Sequence, residues 1–142
     1  MVTDERAAEV QKLLERTREW ASRKADVVAV GVVGSWARGD AHMDSDVDLV
    51  LLTMAKQDYL EDESWVRELG GLRVIRTEQW GPTMTERRFV LNSGLEVEAG
   101  IALPSWAATD PVDSNLPPII QEGFRILYDP EGLLARLVEA CR

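Results

Sequence analysis

The stretch SDVDLVLL, residues 45–52, constrains the fold more than any other part of the chain. Side chains two apart in a strand share a face, so Asp46 and Asp48 project together while Val47, Leu49 and Leu51 project into a core. The run continues as Leu-Val-Leu-Leu, the pattern of a strand at the centre of a sheet. Two carboxylates on such a strand repel each other and resist burial unless positive charge compensates them. Paired acids of this kind make a bidentate site for a hard, oxygen-preferring cation such as Mg²⁺.

The pattern around that strand alternates helices and strands. Residues 3–24 place Val10, Leu13, Leu14, Thr17 and Ala21 on one helical face, with Thr3 positioned to cap and Asp4 and Glu5 in the first turn. DVVAVGVV (26–33) reads as a buried strand, LEDESWVREL (60–69) as a short helix ended by Gly70-Gly71, and LRVI (72–75) as a strand. RRFVL and LEVEAGIA flank Asn92-Ser93-Gly94, a hairpin turn. Residues 104–118, rich in Pro, Ser and Asp, read as a surface loop. FRILY adds a last short strand, and PEGLLARLVEAC a closing helix with Pro130 near its start. The expected fold is α/β (α+β), a mixed sheet with helices packed mainly on one face. At 142 residues the whole chain, 1–142, fits a single domain.

Charge narrows the partners. Sixteen Lys and Arg against 25 Asp and Glu leave a net charge of −9, which argues against direct nucleic-acid binding through phosphate neutralisation. It permits a nucleoside triphosphate, because magnesium screens phosphate from carboxylate. No apolar run approaches the roughly 20 residues of a membrane helix, and MVTDERAAEV is not a signal peptide. The single cysteine, Cys141, excludes an internal disulfide and a cysteine zinc cage. A cytoplasmic protein that does not enter membranes is expected.

Two further features converge on the paired acids. In GLEVEAGIA, Val97, Ala99 and Ile101 face one way and Glu96 and Glu98 the other. If this strand lies beside the first, three carboxylates meet and can hold two ions for in-line displacement at phosphorus. Gly34-Ser35 follows a buried strand; the glycine permits a sharp turn and close approach of a ligand, and a helix starting at Ser35 favours phosphate.

Gly34-Ser35, ten residues, then Asp46-Val47-Asp48 resembles the signature of the DNA polymerase β-like nucleotidyltransferases. The longer GSWARGDAHMDSDVDLVLL is similar to the small bacterial branch, which includes the minimal nucleotidyltransferases and the catalytic domains of aminoglycoside nucleotidyltransferases. The resemblance covers roughly Asp26 to Ile101 and implies a polymerase β-like nucleotidyltransferase fold. It further implies that Gly34 and Ser35 hold the triphosphate, that Asp46 and Asp48 ligate metal, and that Glu98 is the third carboxylate, serving as metal ligand or base. The family often has Asp at this last place; Glu96 is a rival on the same face, and Glu98 is preferred because it lies deeper in the strand. The implied cofactors are Mg²⁺, two ions, with ATP or another nucleoside triphosphate as substrate.

The remaining candidates have competing roles. Arg38 can meet the triphosphate or pair with a neighbouring acid. Trp36 can stack on a base or pack beneath the turn. Ser45 can hydrogen-bond at the metal loop or cap the turn before the strand. Arg87 and Arg88 can offer phosphate a positive edge or sit exposed on the hairpin. His42 reads as solvated and Cys141 as inert. The expected activity is that of an enzyme moving AMP from ATP to a hydroxyl. Its acceptor is a partner protein such as a HEPN-type toxin, as in the minimal nucleotidyltransferases, or a small molecule, and the site is completed by that partner or by homodimerisation. A non-catalytic nucleotide-binding or antitoxin-like module is the alternative.

Overall fold

Strand alternation in this chain builds two cores on one sheet. The computed structural model describes residues 1–142. β1 (Val27–Val33), β2 (Val47–Thr53), β3 (Gly71–Trp80), β4 (Met84–Leu91), β5 (Glu96–Ala102) and β6 (Arg125–Tyr128) form one mixed sheet in the order β3-β4-β5-β2-β1-β6. β2 and β5 run parallel at its centre, and the other neighbours are antiparallel.

Val47, Leu49 and Leu51 of β2, with Val97, Ala99 and Ile101 of β5, face the larger core of 20 buried residues. There they meet Val10, Leu13, Leu14, Trp20 and Ala21 of α1 (Asp4–Ser22) and the aromatic cluster of Tyr59 and Trp65. Thr3 caps α1 by accepting from the Arg6 N–H at 3.1 Å. The opposite face carries Val50 and Leu52 of β2 and Ala102 of β5 into a smaller core of 12 residues. A 3₁₀ turn (Pro104–Ala107), α5 (Leu116–Glu122) and α6 (Leu133–Ala140) cover it. The heavier helical cover therefore lies on one face, and a thinner layer closes part of the other. α2 (Ser35–Arg38) joins β1 to the loop before β2.

Several boundaries differ from the sequence reading. The helix expected over 60–69 is two: α3 (Lys56–Glu61) and α4 (Ser64–Glu68). Asp62 adopts an extended backbone, and its carboxylate accepts from the Ser64 N–H at 3.0 Å and the Ser64 hydroxyl at 2.8 Å, which starts the second helix. β3 extends to Trp80 and β4 begins at Met84, making a second hairpin across Gly81-Pro82-Thr83. β3 is an edge strand exposed along nearly its whole length, so no alternating hydrophobic pattern marks it. Within 104–118, Trp106, Ala107 and Leu116 are buried, and α5 starts inside the stretch expected to be loop.

One polar junction ties the sheet to the helices. Asp26, just before β1, accepts from the Tyr59 hydroxyl at 2.7 Å and the Thr53 hydroxyl at 2.8 Å. Burial acts to raise its pKa, but these hydrogen bonds outweigh it and hold the carboxyl below its ordinary value of 3.8. A depressed carboxyl contributes stability above its unfolded pKa and loses it as pH falls through the folded value. Asp26→Ala is expected to cost about 1–3 kcal/mol at pH 7. Thermal unfolding of both proteins should show that gap shrink once the pH drops below about 4.

Candidate active site

The in-register pairing of strands assembles a row of charge across the sheet. Arg76 of β3 stands opposite Arg88 of β4, Arg88 opposite Glu98 of β5, Glu98 opposite Asp48 of β2, and Asp48 opposite Val33 of β1. Residues in such a row share a face, so the row reads Arg, Arg, Glu, Asp, Val from one edge toward the other. Asp46, in the loop immediately before β2, projects to the same side as Asp48 and completes the group. Asp46, Asp48 and Glu98 each bring a carboxylate oxygen within 4.8 Å of the others. Glu98 is only 8% exposed. Glu96, its rival, lies outside this group and pairs with Arg88 Nη1 at 2.9 Å.

Gly34 closes the row on the β1 side. Its φ of +76° suits glycine, and a Cβ placed there would collide with Asp48 Oδ2. Ser35 begins the single turn of α2, directly after that glycine. Arg38, at the end of the turn, stands apart from the carboxylates and pairs with Asp40 at 3.2 Å and with Glu122 at 3.9 Å. Trp36 packs against the larger core. Ser45 accepts from the His42 N–H at 2.8 Å and so caps the turn before β2, while His42 itself is exposed. Cys141 is buried among the apolar residues of the smaller core.

The two arginines expected at an exposed hairpin edge are placed otherwise. Arg87 faces the larger core, 7% exposed, and Nη1 donates to the Tyr59 carbonyl at 2.9 Å and the Asp62 carbonyl at 3.1 Å. It thereby satisfies carbonyls freed where α3 ends. Arg88, on the opposite side of β4, lies among the acids, its Nη2 donating to Asp46 Oδ2 at 2.7 Å and to Glu98 Oε2. Burial works against its charge, but the contacts with Glu96, Asp46 and Glu98 raise its pKa above the ordinary value.

Even with Arg88 present, negative charge is in excess. Burial, then the nearby charge of Asp46, a hydrogen bond with Asp46 and the charge of Glu98 push Asp48 up to about 7. Glu86, two positions before Arg88 on the same face, is also pushed up to about 7, by burial and by its closeness to Glu98. No sequence signal marks Glu86, because the apolar pattern of β4 starts only at RRFVL; a strand beginning at Met84 puts it beside Glu98. An oxygen-only donor set with uncompensated negative charge matches what a hard divalent cation requires.

Two cavities flank the group. One, of about 480 Å³, is lined by Arg6, Asp44, Ser45, Asp46, Arg88 and Glu96. The other, of about 270 Å³, reaches from Asp48, Glu86 and Glu98 to an apolar wall of Trp80, Met84 and Trp106.

The raised carboxyl of Glu86 has a consequence for stability. The folded chain holds a proton that the unfolded chain releases near the ordinary value of 4.5, so stability declines as pH rises from about 4.5 to about 7. Glu86→Gln removes that penalty. Its Tm in EDTA should exceed that of wild type at pH 8 by a few degrees, about 3–4 °C per kcal/mol for a chain of this size, and match it near pH 4.

Sequence and structure comparisons identify the family and the fold. The model of the nucleotidyltransferase domain family matches residues 10–90. Among solved structures, a cytoplasmic RNA terminal U-transferase superposes with a TM-score of 0.57 at 17% identity, covering 85% of this chain and 34% of that one. A poly(U) polymerase gives 0.56 at 15% identity, covering 85% and 35%. A CCA-adding enzyme gives 0.50 at 15% identity, covering 93% and 32%. The chain thus spans about a third of the length of the structures it resembles. No curated protein matches it in sequence. With more than half of its length, and the whole stretch from Gly34 to Asp48, inside the family match, the chain belongs to the nucleotidyltransferase domain family and has the polymerase β-like fold.

Proposed function

We propose that this chain transfers a nucleoside monophosphate, AMP from ATP, to a hydroxyl acceptor and releases pyrophosphate. The observation that carries the reading is the convergence of Asp46, Asp48 and Glu98 within 4.8 Å, directly beside a glycine turn that tolerates no side chain. Asp46, Asp48 and Glu98 would hold Mg²⁺, two ions as the family resemblance implies. Bound there, the metal supplies charge neutralisation at the α-phosphate and the leaving oxygen.

The protein's own groups position the reactants. Gly34 and Ser35 cradle the β- and γ-phosphates through backbone N–H groups. Glu98, largely buried and flanked by apolar residues, receives the proton of the acceptor hydroxyl as its oxygen attacks the α-phosphorus. The bond from the α-phosphorus to the bridging oxygen breaks, and pyrophosphate departs with that electron pair. Catalysis is then chiefly positioning and electrostatic stabilisation. Arg38 reaches phosphate only by leaving Asp40 and Glu122.

The acceptor hydroxyl must lie against Glu98, and we assign its entry to the cavity that Glu98 shares with Glu86, Trp80, Met84 and Trp106. Solved structures of this fold include an RNA terminal U-transferase and a poly(U) polymerase, but a net charge of −9 argues against an RNA acceptor here. A partner protein with a basic surface, such as a HEPN-type toxin, or a cationic small molecule fits that charge. A second copy of the chain could complete the site in their place.

Calorimetric titration of ATP with Mg²⁺ into wild type and an Asp46→Asn/Asp48→Asn variant tests the nucleotide site. Magnesium-dependent binding is expected in wild type alone. Either single substitution should reduce transfer of radiolabelled AMP by about 100-fold or more with the circular dichroism unchanged. Full activity in both variants would overturn the assignment, and binding without pyrophosphate release would point to the non-catalytic module.

A further inference from the structure

The guanidinium of Arg88 lies against two of the three carboxylates that would hold a cation. Nη2 donates to Asp46 Oδ2 at 2.7 Å and to Glu98 Oε2, engaging two of the three converging side chains. Nη1 donates to Glu96 Oε1 at 2.9 Å, outside that group. Arg76 adds a longer contact of 3.4 Å to each Glu98 oxygen from β3. Arg88 Nε is buried and has no hydrogen-bond partner. The side chain is therefore held by its carboxylates and not by a fully satisfied donor set.

These contacts bear on cation binding. A carboxylate oxygen that ligates magnesium does so at about 2.1 Å, and Nη2 of Arg88 already stands 2.7 Å from Asp46 Oδ2. Like charges also repel across that distance. We propose that Arg88 is an internal counter-ion, holding Asp46 and Glu98 together in the cation-free protein and displaced from both when a divalent cation enters. Glu96 keeps Arg88 tethered through Nη1 during the exchange, which gives the rival third carboxylate a role of its own. The inference rests on the reading of Asp46, Asp48 and Glu98 as cation ligands. By linkage, whatever Arg88 contributes to the cation-free fold is subtracted from cation affinity.

The test uses Mn²⁺ calorimetry on wild type, Arg88→Met and Asp48→Asn, together with nitrogen-15 NMR of the wild-type arginine guanidinium groups during Mg²⁺ addition. Arg88→Met is expected to bind Mn²⁺ about tenfold more tightly than wild type. It should melt at a lower temperature without cation, and saturating Mn²⁺ should close that gap. The Arg88 resonances of wild type should shift as Mg²⁺ binds, and Asp48→Asn should take up no Mn²⁺. Equal affinity in wild type and Arg88→Met, or unmoved Arg88 resonances at saturating Mg²⁺, would overturn the displacement while leaving the cation site standing. Absence of uptake by both proteins would overturn the cation site and the displacement with it. If Arg88→Met does not fold, the wild-type resonances decide the question alone.

Discussion

The parallel pairing of β2 and β5 sets Asp48 directly against Glu98, and the rest of the site is a response to that repulsion. Parallel strands at a sheet centre leave little freedom to slide, because a one-residue slip would turn Val47, Leu49 and Leu51 out of the larger core. The apolar face thus forces the two carboxylates together from behind. Arg88 on β4 stands opposite Glu98 and offsets part of the charge. It does not offset all of it, since Asp48 and Glu86 still favour protons up to about pH 7.

The same register explains where the chain can be permissive. Beyond the acids, the face that carries Asp48 and Glu98 continues as Val50 and Leu52 on β2 and as Gly100 and Ala102 on β5, closed over by Trp106, Leu116 and Leu137. The charged row sits at the mouth of this second core with an apolar wall at its back, Glu98 buried and Asp48 and Arg88 partly so. That placement lowers the local dielectric around the acids. Gly34 is held to glycine by its φ of +76°, and a Cβ there would press on Asp48 Oδ2.

The centre of the fold was legible because its signals were redundant. Apolar alternation in β2 and β5, the spacing from Gly34 to Asp48 and the Thr3 cap all rest on local rules, and each is found as expected. Period-two alternation put Asp46 with Asp48 and Glu96 with Glu98, and the family resemblance pointed to Glu98; the convergence itself needed the β2–β5 pairing. What escaped depended on tertiary context. β3 is an exposed edge whose residues follow no hydrophobic period, so its ten-residue length was hidden and the start of β4 with it. That single boundary concealed Glu86. Arg87 and Arg88 are adjacent and chemically identical, yet one caps α3 through the Tyr59 and Asp62 carbonyls and the other neutralises acids. Only the face each occupies separates them, and that depends on strand pairing.

The charge of the site also dictates how a triphosphate can approach it. Asp46, Asp48, Glu86, Glu96 and Glu98 crowd one face, against Arg88 and Arg76. A free triphosphate would add several negative charges to a field already negative, in a chain whose net charge is −9. Repulsion at these separations is substantial at the effective dielectric near a protein surface. The two basic side chains cannot reverse it, because both are already engaged by carboxylates. Under the proposed function, nucleotide would therefore arrive with its own divalent cation, or after one. On the proposed reading, the carboxylate row and the glycine turn would act as a single device in which neither half binds its ligand well without the other.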